Sequence, residues 1–139
     1  EDQKFEIGKA LHLKHGNDVT IFATGHLVWE ALEAANALKE NGISAEVINI
    51  HTIKPLDNKA ILKAIKNTNC IVTAEEHMLN GGLGDSIAQL IAKNNPCPME
   101  MVGVDDEFGE SGPPMKLMKK YGLSSNDIIT AAKKVIARK

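Results

Sequence analysis

The sequence predicts an α/β domain with a mostly parallel sheet covered on both faces. Short apolar runs of strand length alternate with stretches whose apolar residues recur at helical spacing. The run at 70–74 (CIVTA) leads straight into Glu75, Glu76 and His77, and then into Gly81-Gly82-Leu83-Gly84, which opens a helix. A continuous apolar run reads as a buried parallel strand. Polar groups gathered at its carboxyl end mark where open α/β sheets place ligand or partner contacts.

Each element has its own signal. Residues 7–14 suit a first short strand, and Val19-Thr20-Ile21-Phe22-Ala23 forms the next, ended by Thr24-Gly25. A helix follows from about Leu27 to Asn41, with Val28, Leu32, Ala35 and Leu38 on one face and Gly42 as its left-handed stop. Residues 45–50 (AEVINI) make a strand, after which Lys54-Pro55-Leu56-Asp57 turns the chain. Asp57 is placed to cap a helix over 58–67, whose stripe is Ile61, Leu62 and Ile65. After the strand at 70–74 come a helix at 83–94, with Ile87, Leu90 and Ile91 inward, and a last strand at about 99–104. Pro113-Pro114 starts a short helix ending at Gly122. Ser124 and Asp127 resemble a capping box for the final helix, where Ile128, Ala132, Val135 and Ile136 share a face.

Composition bounds the function classes. The chain has 139 residues, which suits a single domain over 1–139, and no repeat, low-complexity tract or linker divides it. A formal charge of -2 gives no general pull toward nucleic acid or an anionic membrane. Of the 16 basic residues only Arg138 is an arginine, so the body of the domain holds no bidentate guanidinium clamp for phosphate or carboxylate. Cys70 and Cys97 are the 2 cysteines, and they fit a reducing cytoplasm better than a disulfide scaffold. No apolar run approaches the length of a transmembrane helix, and no signal-peptide pattern is present. The first residue is Glu1 rather than methionine, as in a domain excised from a longer polypeptide or a chain trimmed of a tag.

Three constellations are candidates for function. Thr24-Gly25-His26 is a tight strand-to-helix turn whose backbone N–H groups are able to bind an anion, although a capped helix behind a glycine turn explains it as well. It is not a dinucleotide fingerprint, because no second and third glycine follow Gly25 at the required spacing, and no phosphate-loop Gly-Lys-Ser/Thr run occurs. In His51-Thr52-Ile53-Lys54-Pro55-Leu56-Asp57, Lys54 is able to present a point charge to a phosphate. The structural alternative is stronger: Pro55 fixes the loop and Asp57 starts the helix. In the third, Glu75-Glu76-His77 with Gly81, Gly82 and Gly84, an acid–base role needs one buried carboxyl of raised pKa. Neighbours in extended chain point to opposite sides, so Glu75 and Glu76 form no close dyad by themselves. Hydrogen bonding to a partner chain or to a nearby helix N-terminus suits them better. Ser86 lies inside the following helix, and His12 and His15 are expected on opposite faces of a strand, without metal-site spacing.

Several pieces then occur in order: Ile7-Gly8-Lys9-Ala10, Asp18-Val19-Thr20-Ile21 with Gly25, Trp29-Glu30-Ala31-Leu32, Thr52-Ile53-Lys54-Pro55-Leu56-Asp57, Glu75-Glu76-His77, Gly81-Gly82-Leu83-Gly84 and Asp106-Glu107-Phe108-Gly109-Glu110-Ser111-Gly112. The set resembles the C-terminal domain of the transketolase family, from about residue 5 to 137. That family includes 1-deoxyxylulose-5-phosphate synthase and the β subunit of pyruvate dehydrogenase. The tail, Ser111-Gly112 and then Leu117 to Leu123, is more similar to a transketolase or synthase ending, and transketolase, including its split two-chain form, is the preferred reading.

The resemblance implies a three-layer α/β/α fold whose five-stranded sheet is mixed, the first strand running antiparallel to the others. It also implies a homodimeric, cytoplasmic enzyme of the pentose phosphate pathway that moves a two-carbon ketol unit between sugar phosphates. Two further domains would hold its thiamine diphosphate and Mg (or Ca), one gripping the diphosphate and one facing the pyrimidine ring. The Gly-Asp-Gly metal motif of those domains is absent here, so no catalytic, cofactor or metal residue is carried over. The expectation is a noncatalytic domain that supports dimer assembly. Its candidate partner-contact or anion site comprises Thr24, Gly25, His26, Lys54, Glu75, Glu76, His77, Gly81, Gly82 and Gly84. The alternatives are a small-anion or nucleotide-binding regulatory module, and a docking surface for an acyltransferase core with its lipoyl-bearing partner.

Overall fold

The computed structural model describes residues 8–51, 54–78, 82–104 and 123–139. In chain order these form β1 (Leu11–Lys14), β2 (Val19–Ala23), α1 (Leu27–Glu40), β3 (Ala45–Asn49), α2 (Asn58–Thr68), β4 (Ile71–Met78), α3 (Leu83–Asn94), β5 (Met99–Val104) and α4 (Ser125–Ala137). The strands make one sheet of order β1-β3-β2-β4-β5. Strands β3, β2, β4 and β5 are mutually parallel, and β1 pairs antiparallel with β3. The fold is therefore the expected three-layer α/β/α arrangement with one antiparallel edge.

Strand periodicity sorts the core onto two faces. On one face Val19, Ile21, Ala23, Val47, Val72 and Ala74 pack against α1 and α4. On the other, Phe22, Ile48, Ile50 and Ile71 pack against α2 and α3. Strand β2 is central and buried along its whole length, which is why its sequence is a continuous apolar run rather than an alternating one. Each large side chain buried here contributes roughly 1.5–3 kcal/mol of transfer free energy.

The helices begin and end where local chemistry dictates. Helix α1 closes as expected at Gly42 (φ +77°), with Ile43 N–H donating to Leu38 O at 2.9 Å and Gly42 N–H to Lys39 O at 3.0 Å. Asp57 caps α2 by accepting from Ala60 N–H at 3.2 Å, and its second oxygen accepts from Ala10 N–H at 2.9 Å. Helix α3 and strand β5 occupy the expected ranges. At the start of α4, Asp127 accepts from both the backbone N–H (3.1 Å) and the hydroxyl (2.6 Å) of Ser124.

Several expectations are corrected. The buried face of α1 is Leu27, Ala31, Ala34, Ala35 and Leu38; Val28 and Leu32 only flank it, because the alanines let the helix lie close to the sheet. Strand β4 does not stop at residue 74: it continues through Glu75, Glu76 and His77 to Met78, which pairs with Val104 after a shift of register. His12 and His15 are not on opposite faces. Pairing shifts register between His12 and Lys14 and β1 ends there, so the two rings meet at a centroid distance of 4.3 Å. Residues Ile7, Thr52, Ile53, Gly81 and the stretches 106–112 and 113–122, with their motifs and short helix, lie outside the described residues.

Candidate functional site

Chain direction across the sheet reverses between β2 and β4. From β2 the chain crosses through α1 to β3 on one side, and from β4 through α3 to β5 on the other. In open α/β folds the crevice at such a switch point, outside the carboxyl ends of the strands, is where ligands bind. Here it is bounded by Thr24-Gly25-His26 after β2 and by Glu75-Glu76 at the end of β4.

Successive residues of β4 face opposite sides, and the two carboxylates part accordingly. Glu75 points to the α3 face, where it is fully buried. Its Oε1 accepts from Leu83 N–H and its Oε2 from Gly84 N–H, both at 2.7 Å. Glu76 points to the α1 face and accepts from His26 N–H at 2.9 Å through Oε1. Neither α1 nor α3 has a side-chain cap from its own N-cap residue, so the cap comes from the strand end in both cases. A carboxylate against a helix N-terminus is favourable by hydrogen bonding and by the helix dipole together.

The glycines make these contacts possible. Gly25 has φ +58°, and a Cβ there would lie 2.4 Å from Glu76 Oε1. A Cβ on Gly84 would meet Met101 Sδ at 3.0 Å and Thr73 Oγ1 at 3.1 Å, so its absence lets the first turn of α3 settle on β4. Gly82 is the N-cap residue of α3. Lys54 is exposed in the turn before α2, in a cis peptide bond with Pro55. His77 lies within β4, and its side chain, like the whole of Gly81, falls outside the described residues. Of the candidate residues, Gly25, His26, Glu75, Glu76, Gly82 and Gly84 lie together at the starts of α1 and α3.

Sequence reasoning missed two long-range polar links. Glu30 on α1 accepts from Ser125 N–H at 2.7 Å, adding a second carboxylate at the start of α4. Glu46 is buried on β3, where Oε1 accepts from the Thr20 hydroxyl at 2.8 Å and Oε2 lies 2.5 Å from His12 Nε2. The single hint was a glutamate inside an otherwise apolar strand run. Among the described residues, no group of three or more His, Cys, Asp or Glu side chains is placed to hold a metal ion. No helix there is long and apolar enough to cross a membrane.

The family described as transketolase, C-terminal domain, matches residues 8–128. This chain belongs to that family. It is 47% identical over 139 residues to the 6-deoxy-6-sulfo-D-fructose transketolase subunit SqwH of Clostridium sp. (strain MSTE9), covering 100% of this chain and 43% of that protein. It is 40% identical over 141 residues to 1-deoxy-D-xylulose-5-phosphate synthase 1 of Geobacter sulfurreducens, covering 100% of this chain and 22% of that one. Among solved structures, a split-gene transketolase described as an inactive β4 tetramer superposes with a TM-score of 0.93 at 42% identity, covering 98% of this chain and 45% of the other. The chain therefore spans less than half the length of these relatives. Its fold is the same in kind as that of the split-gene transketolase structure, and the first strand is antiparallel as the family resemblance implied.

Proposed function

We propose that this chain is the noncatalytic C-terminal domain of a thiamine diphosphate-dependent transketolase, in which it supports dimer assembly. The observation that carries the reading is the fate of Glu75 and Glu76. The two acidic residues best placed for chemistry at the switch point are committed to backbone N–H groups of α3 and α1. A diphosphate needs such N–H donors for itself, and the carboxylates already beside them would repel it. The residues here do not fit that cofactor, which is assigned to the diphosphate-binding and pyrimidine-binding domains with their Mg (or Ca). Similarity to a transketolase subunit and to a split-gene transketolase supports an enzyme assembled from more than this domain.

In this reading the domain acts by position. It offers a rigid two-faced core against which the cofactor domains are held in register, and a displacement of about 1 Å at a reacting centre costs on the order of a hundredfold in rate. The test is a ketol-transfer assay with a ketose phosphate donor and an aldose phosphate acceptor. The chain alone is expected to give no transfer, and activity is expected when it is supplied together with both the diphosphate-binding domain bearing the Gly-Asp-Gly motif and the pyrimidine-binding domain. Turnover by the chain alone would overturn the proposal. A second reading, the corresponding region of a 1-deoxyxylulose-5-phosphate synthase, is favoured by the likeness to the Geobacter protein. In the reconstituted enzyme it predicts formation of 1-deoxyxylulose 5-phosphate in place of ketol transfer between sugar phosphates.

A further inference from the structure

At the opposite ends of the parallel strands a cavity of about 340 Å³ opens between the last turns of α1, the approach to β3 and the end of β1. Its walls carry Lys14, His15 and Lys39, and no aspartate or glutamate is among its described lining residues. Ala35, Ile43 and Ala45 supply an apolar side. We propose that this cavity is a binding site for a small phosphate monoester, separate from the switch-point crevice and independent of the function proposed above.

The chain as a whole carries a formal charge of -2, yet here Lys14 and Lys39 line one concavity without an acidic partner among the described residues of its wall. Like charges gathered around a low-dielectric cleft repel one another, and an anion between them converts that repulsion to attraction. The ordinary structural reading covers only part of this. Lys39, in the last turn of α1, offsets the helix dipole, and Lys14 Nζ donates to Asn36 Oδ1 at 3.3 Å. Asp18, the acidic residue tied to the lining, accepts from Ser44 N–H at 2.7 Å.

The polar side chains of the wall are also held in place. The His15 ring rests against the His12 ring, which is fixed by buried Glu46, and Lys14 is tethered to Asn36. Lysines act as point charges toward phosphate, an imidazole N–H adds a directional donor, and the volume lies at the small end of ligand sites. The apolar wall suits the carbon part of an ester better than a bare inorganic ion.

Titration of the 139-residue chain with glycerol 3-phosphate and with inorganic phosphate at low salt, followed by backbone amide NMR, tests the site. Saturable shifts centred on residues 14–15 and 39–45 are expected, tighter for the ester, with glycerol alone inert. The Lys14→Gln/Lys39→Gln variant is expected to weaken binding by about tenfold or more. Lys39→Gln alone, at an exposed position, should weaken it partially with the spectrum otherwise unchanged, which separates loss of binding from loss of fold. Lys134→Gln, on α4, should leave binding intact. No saturable shift at these residues, or equal affinity in the double variant, would refute the site.

Discussion

Glu75 and Glu76 are adjacent in sequence and opposite in environment, so their substitutions separate cleanly. Glu75→Ala leaves two buried N–H groups without their carboxylate, a loss of about 2–4 kcal/mol. Glu76→Ala removes one more exposed cap and is expected to cost about 1 kcal/mol. Urea unfolding of the two variants checks the order, and equal losses would show that Glu75 is not the stronger tie. Cys70 makes a pH prediction at the same scale. Burial raises its thiol pKa above 9.0, opposed by the nearby Lys139 and reinforced by Asp18, and burial raises Cys97 likewise. A group whose native pKa is raised favours the folded state below its unfolded value, and this contribution is lost as pH climbs from about 9 through the native value. Stability should therefore fall above that pH, and Cys70→Ala should flatten the fall; an unchanged slope would exclude the thiol as its source.

Helix starts among the described residues follow one rule, and the rule explains what the sequence revealed and what it hid. Asp57 and Asp127 cap α2 and α4 from within a few residues, and such local signals are legible in one dimension. The cap of α3 comes from Glu75, whose bond to Leu83 N–H spans 8 residues, and the sequence already pointed these carboxylates to a nearby helix N-terminus; the cap of α1 comes from Glu76, 50 residues from His26, and no local pattern announces it. The same distance effect hid the end of β4. Glu75-Glu76-His77 reads as polar groups following a strand that stops at residue 74, yet the strand continues, with those two carboxylates satisfied by helices on either face. Helix α3 was legible in full because its glycine entry and apolar period are both local. The adjacency of His12 and His15 was not, since it depends on where pairing with β3 slips. Asp57 supplies a test at this scale. It holds both α2 and the segment before β1, so Asp57→Ala should lower stability by about 1–2 kcal/mol and speed amide exchange at Ala10 as well as Ala60. Faster exchange at Ala60 alone would limit its role to the helix.

For the whole molecule, these ties add up to an α/β sheet whose usual ligand crevice is spanned by its own side chains. All four described helices begin against a carboxylate of this same chain: Glu76, Asp57, Glu75, and Glu30 with Asp127. That arrangement favours a rigid supporting body over a diphosphate site, and it agrees with membership of the transketolase C-terminal domain family. The most direct measurement of this account is calorimetric titration of the purified chain with thiamine diphosphate in the presence of Mg. The account predicts no saturable heat of binding, whereas a stoichiometric complex with the cofactor would contradict it.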